Sequence, residues 1–139
     1  AFLNFYLRNM FDNVRLVGST STSEMFEQLL RVGPGDVVIG FSLPRYSSRT
    51  VKVMQYAHDT GATCIAITDK PDAPAGKVAN HVLVAKSDMV SVVDSLVAPM
   101  SVVNALVVSL AQEPQTQMAK TYEDLETLWD EYDVYERVE

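Results

Sequence analysis

The residues best suited to chemistry lie together in the run DVVIGFSLPRYSSRT, from Asp36 to Thr50. Ser42, Ser47, Ser48 and Thr50 supply four hydroxyls, and Arg45 and Arg49 supply two guanidinium groups. Hydroxyls donate to phosphate oxygens, and an arginine offers a forked pair of donors. The residues ahead of them, Asp36 to Phe41, are nearly all apolar, as in a strand covered on both faces. Ser47 can cap a helix that follows it. A helix start carries free N–H groups and the positive end of the helix dipole, which together accept an anion. The plainer reading of the same residues is a helix cap and two solvated arginines. Neither a Gly-x-x-x-x-Gly-Lys loop nor a Gly-x-Gly-x-x-Gly loop occurs, so no common nucleotide motif is indicated.

Other reactive side chains are sparse. The two histidines, His58 and His81, are too few for a histidine-rich metal site. His58 falls late in a helix, where a partial positive charge is favoured, and His81 opens a strand. The single cysteine, Cys64, excludes an internal disulfide framework and fits a reducing compartment. The Ser19 to Ser23 loop is rich in hydroxyls and reads as a solvated turn with a helix cap. Neither a metal nor a cofactor is expected.

These residues need a frame. Apolar spacing predicts a helix over 2–10 and a short strand over 14–17 that ends at Gly18. Ser23 reads as the cap of a helix over 24–31, and Gly33-Pro34-Gly35 as a turn. A strand over 36–41 precedes the helix from Ser47, which Gly61 ends near Thr60. Further strands are read at 63–68 and 81–85, with a two-proline loop at 69–76 between them. A helix over about 95–111, capped by Ser95, a polar break at 112–117 and a helical tail from Thr121 to Tyr132 complete the chain. In the tail, Tyr122, Leu125, Trp129 and Tyr132 form an apolar stripe beneath a charged outer face, suited to packing on its own domain or on a partner subunit. A core position is the expectation for Trp129.

Strands alternating with helices imply parallel βαβ units in a doubly wound α/β sheet, with ligands beyond the carboxyl ends of the strands. The loops at 18–23, 42–47, 69–76 and 86–94 are therefore the ones to search. The expected division is a first domain over 1–111 and an acidic helical extension over 112–139.

Composition limits the partners. The 139 residues are 47% hydrophobic and 21% charged, with 11 Lys+Arg against 18 Asp+Glu, a net charge of −7. That is enough chain for a core, and the wrong sign for a broad nucleic-acid surface. The apolar-rich stretch from Met89 to Ala111 contains Asp94, Pro99 and Asn104, so it reads as a buried helix rather than a membrane span. No signal peptide is visible, and a cytoplasmic setting is expected.

DVVIGFSLPRYSSRT, followed by an amphipathic helix and GATCIAITDKPDAPAGKVANHVLVA, resembles a SIS (sugar isomerase) domain. The longer loop with Pro-Arg-Tyr-Ser, and the ending LWDEYDVY, are similar to the effector domain of RpiR-type bacterial transcriptional regulators. The resemblance implies a three-layer flavodoxin-like fold that senses a phosphorylated sugar or amino sugar without chemistry. Ser42 then stands at the first serine of the family's Ser-x-Ser-Gly-x-Thr loop, Ser47 at the second and Thr50 at the threonine. Three extra residues separate the serines, and Ser48 replaces the glycine. Arg45, Arg49 and Ser95 are further ligand candidates. The resemblance also implies a homodimer or higher homo-oligomer, and DNA binding only through a domain outside this chain. It places the first strand, with its own serine loop, before Ala1. The alternatives are a phosphosugar isomerase, an amino-sugar-phosphate enzyme, and a dimerisation module without a ligand.

Overall fold

The computed structural model describes residues 1–18, 20–86, 95–116 and 118–136. The chain divides into two compact units, residues 17–103 and residues 1–16 with 104–139.

The larger unit is built on a parallel sheet of β1 (Val37–Ser42), β2 (Thr63–Thr68) and β3 (His81–Val84), in the order β1-β2-β3. A mixed α/β fold with a parallel sheet is what the strand–helix alternation requires. The register aligns Ser42 with Thr68, and Thr68 with Val84, so all three strands end on one edge. β2 is the central strand, and Cys64, Ala66, Ile67 and Thr68 on it are wholly buried. Asn80 extends the β2 ladder: its N–H donates to the Cys64 carbonyl, and its Oδ1 accepts from the Cys64 N–H, both at 2.8 Å.

Helix α3 (Ser48–Asp59) packs on β1 and β2, and also on the short α4 (Pro74–Val78). The core here is made of small groups around one large one: Ala57, Ala62, Cys64, Ala66 and Ala75 surround Met54. Gly40 makes room for it. A Cβ there would collide with Met54 Sδ and lie 3.1 Å from Cγ and 3.2 Å from Cε. At its far end α3 closes in a Schellman motif, in which the Ala62 N–H donates to the Ala57 carbonyl and the Gly61 N–H to the His58 carbonyl. Gly61 takes φ +95°, so it ends the helix as expected.

Three local readings are corrected. Val14 to Val17 is not a strand; it lies outside the sheet, with Leu16 64% exposed. A parallel strand is held by ladder bonds to a neighbour, and β1 is paired on the β2 side alone among the described residues. The second helix, α2 (Thr22–Gln28), starts and ends earlier than predicted, and Ser21 rather than Ser23 caps it by accepting from the Glu24 N–H. Ser21 and Glu24 have the spacing of a capping box, which favours that start. The loop at 69–76 contains the beginning of α4, with Pro74 in its first turn, where a missing N–H costs nothing.

The smaller unit contains α1 (Phe2–Met10) and α6 (Met118–Glu131), which contact one another, and part of α5 (Val97–Ala111), which runs across the division between the units. Leu3 and Met10 are buried on α1. On the predicted stripe of α6, Leu125 and Trp129 are half-buried, whereas Tyr132 is 72% exposed. Trp129 is therefore not a core residue; it meets the ring of Tyr135 edge-on, with centroids 5.3 Å apart. No helix among the described residues is long and apolar enough to cross a membrane.

The Gly40–Met54 contact leads to a direct expectation. Gly40→Ala should destabilise the chain by about 1–3 kcal/mol, the usual cost of overpacking. Chemical denaturation checks this, and Met54→Ala in the same background should recover part of the loss.

Candidate functional site

The candidate site is the carboxyl edge of the sheet where β1 gives way to α3. Side chains alternate along a strand, so Val38, Gly40 and Ser42 share a face. That face is the one α3 covers, because Gly40 meets Met54. Two strand residues rise about 6.6 Å, and a helix covers that distance in about 4 residues. Counting back from Met54 puts Ser42 level with Thr50, in the first turn of α3.

Ser42 is 3% exposed, and its Oγ has no hydrogen-bond partner among the described residues. A buried hydroxyl without a partner carries a desolvation cost that a ligand acceptor would remove. Beside it, Ser47 is the N-cap of α3, its Oγ accepting from the Thr50 N–H at 3.5 Å. Ser48 is exposed and Thr50 half-buried, both in the first turn. The expected cluster of Ser42, Ser47, Ser48 and Thr50 is thus gathered where a strand end meets a helix start of twelve residues.

The arginines are differently engaged. Arg45 is exposed, and its backbone lies in the left-handed region at φ 70°, where a non-glycine residue is strained. Arg49 sends Nη1 to the Thr20 carbonyl at 2.6 Å, which ties α3 to the 18–23 loop. Ser95 lies elsewhere. Its Oγ accepts from the Val97 N–H at the start of α5. Ser95 also lines an open cleft of about 610 Å³ with Val84, Lys86, Val97 and Ser101, none of which belongs to the 42–50 segment. The 87–94 part of the last loop to be searched lies outside the described residues.

Two residues at this edge were not singled out from sequence. The Tyr46 hydroxyl donates to both Asp69 oxygens, at 2.8 Å and 3.1 Å. The Thr68 hydroxyl donates to Asp69 Oδ1 at 3.3 Å. The signal was present in position alone: Tyr46 sits between the motif serines, and Asp69 follows the last residue of β2. The hydrogen bond to Asp69 holds the Tyr46 phenol above its usual range, with desolvation and the charges of Asp69 and Asp72 adding to it.

The histidines lie away from this edge. His81 opens β3 at the amino end of the sheet, and His58 is in the last turn of α3, its Nδ1 3.8 Å from Asp59 Oδ1. Cys64 is buried, which pushes its thiol up, and Sγ donates to the Met54 carbonyl at 3.5 Å. No group of three or more metal-binding side chains occurs among the described residues.

This geometry defines a parallel α/β domain whose hydroxyl-rich loop opens at the carboxyl edge of its sheet. The model of the SIS domain matches residues 1–109, and the chain belongs to that family. Among solved structures it is similar to the sugar isomerase domain of an RpiR transcription factor from Sphaerobacter thermophilus. The two are 29% identical with a TM-score of 0.78, over 91% of this chain and 70% of that one. It shares its fold with Vibrio vulnificus NanR complexed with ManNAc-6P, at 14% identity and a TM-score of 0.74, over 94% of this chain and 50% of NanR. No curated protein matches the chain.

Tyr46 should titrate above the ordinary tyrosine range. Its raised value means that the bond to Asp69 is intact through the neutral range and is lost only as pH rises through that value. Tyrosine ring NMR against pH measures this, and Asp69→Ala should return Tyr46 to the ordinary range.

Proposed function

We propose that this domain binds a phosphorylated sugar or amino sugar and is the sensing half of a transcriptional regulator. The observation that carries the reading is the buried, unpartnered hydroxyl of Ser42, level with the first turn of α3. A phosphate at that place would accept from Ser42, from the hydroxyls of Ser47, Ser48 and Thr50, and from free N–H groups of the helix start. Arg45 and Arg49 border the loop and balance the ligand's charge. Ser95, in its own cleft, contacts the sugar rather than the phosphate. The RpiR structure is that of a transcription factor, which supports the regulatory reading, and NanR is complexed with ManNAc-6P, which supports the ligand class.

Binding without chemistry fits the placement of the histidines, since His58 and His81 both lie at the other end of the sheet. An isomerase needs an acid or base within reach of the sugar carbons; the carboxylate at this edge, Asp69, is instead taken up by the hydroxyls of Tyr46 and Thr68. In the full protein the domain works as a cytoplasmic homodimer or higher oligomer. A separate domain contacts DNA, and the ligand shifts the geometry of the assembly.

The free protein and the complex should respond oppositely to Ser42→Ala. Removing an unpartnered buried hydroxyl should leave stability unchanged or raise it by up to about 2 kcal/mol. Affinity for the best ligand of a sugar-phosphate panel, begun with ManNAc-6P, should fall at least about tenfold. Ser47→Ala with Thr50→Ala should abolish binding by calorimetry, and loss of the cap should cost about 1 kcal/mol of stability. Unchanged affinity in that double variant would sink the assignment, and turnover of any panel member would decide for an enzyme.

A further inference from the structure

We propose that Tyr46 and Asp69 form a latch that holds the 43–47 loop in its ligand-ready conformation, making both of them positioning residues for the anion site. The inference rests on the phosphate-binding reading, which it extends to two residues outside the serine motif.

The loop is fixed at both ends. Ser42 pairs with Thr68 in the sheet, and Ser47 caps α3. Between these ends the chain must turn within four residues, Leu43 to Tyr46, and it does so by holding Arg45 at φ 70°. A strained residue persists where its surroundings over-determine it. Tyr46, the next residue, supplies that restraint by donating to both oxygens of Asp69. Asp69 is restrained in turn, because it directly follows Thr68 and accepts from that wholly buried residue's hydroxyl. The bonds close a ring: Ser42 to Thr68 through the ladder, Thr68 to Asp69, Asp69 to Tyr46, and Tyr46 through the chain to Ser47.

The ring has a second effect. Asp69 puts a carboxylate at the edge where an anion would bind, and like charges repel. Two hydroxyls donate to that carboxylate and draw its charge toward themselves. Releasing Tyr46 would both slacken the loop and leave the carboxylate free to face the ligand.

The test uses Tyr46→Phe and Asp69→Asn, with inorganic phosphate and ManNAc-6P as probes. The readouts are calorimetric affinity and hydrogen exchange at the Thr50 and Val51 amides. Those amides report Ser47's position, since they donate to its Oγ and its carbonyl. Tyr46→Phe should speed their exchange about tenfold and weaken probe binding about five- to tenfold, the effect of one lost hydrogen bond to a charged group. Asp69→Asn keeps an acceptor for Tyr46 and removes the charge, so it should hold both readouts within about twofold or bind the probes more tightly. Unchanged exchange in Tyr46→Phe overturns the latch. Faster exchange with unaltered probe affinity overturns its role in binding, as does an Asp69→Asn variant as impaired as Tyr46→Phe. If the unmodified protein takes up neither probe, the phosphate reading fails, and the exchange rates alone decide whether Tyr46 holds the loop.

Discussion

The close approach of α3 to the sheet is the constraint from which the rest follows. It depends on an absent side chain: Gly40 leaves a space that Met54 fills, and Met54 is 1% exposed. Once that contact is made, the height of the helix on the sheet is set. The start of α3 then stands level with Ser42, and the segment between must close a fixed gap. The strained backbone at Arg45 is the local cost of that closure. At the other end, Gly61 reverses the chain directly into β2. Packing at the middle of the helix thus determines the chemistry at its start.

The same edge illustrates how polar groups are divided between structure and function. Thr68 is buried and satisfied by Asp69, whereas Ser42, its ladder neighbour, is buried and unsatisfied. Two adjacent hydroxyls in equivalent register positions thus have different fates. A domain that needed only stability would gain by replacing Ser42 with alanine. Retaining a hydroxyl there makes sense if its partner arrives from outside.

Much of this was legible in the sequence, and the reasons are local. The three strands are continuous apolar runs bounded by turn residues, although only β2 is largely buried: Val37 and Phe41 on β1 and Val84 on β3 are exposed. Ser47 and Gly61 bracket α3 with the chemistry that starts and stops helices. The serine cluster stood out because four hydroxyls and two arginines fall within nine residues of one another, Ser42 to Thr50. The failures are those of context. Val14 to Val17 has the composition of a strand, but composition does not supply a ladder neighbour. Trp129 lies on an apolar stripe, yet what covers a stripe depends on tertiary packing. The bond between Tyr46 and Asp69 joins residues 23 apart in sequence, and only the register of β1 on β2 brings them together.

Cys64 gives the chain a gauge of its own motion. The thiol is sealed beneath α3 and bonded to the Met54 carbonyl, and burial keeps it in the unreactive protonated form. A labelling reagent reaches it only when the helix lifts from the sheet. With one cysteine in the chain, the rate of modification reads the frequency of that opening without any engineered probe. A ligand that clamps the start of α3 would slow the same clock without touching the thiol.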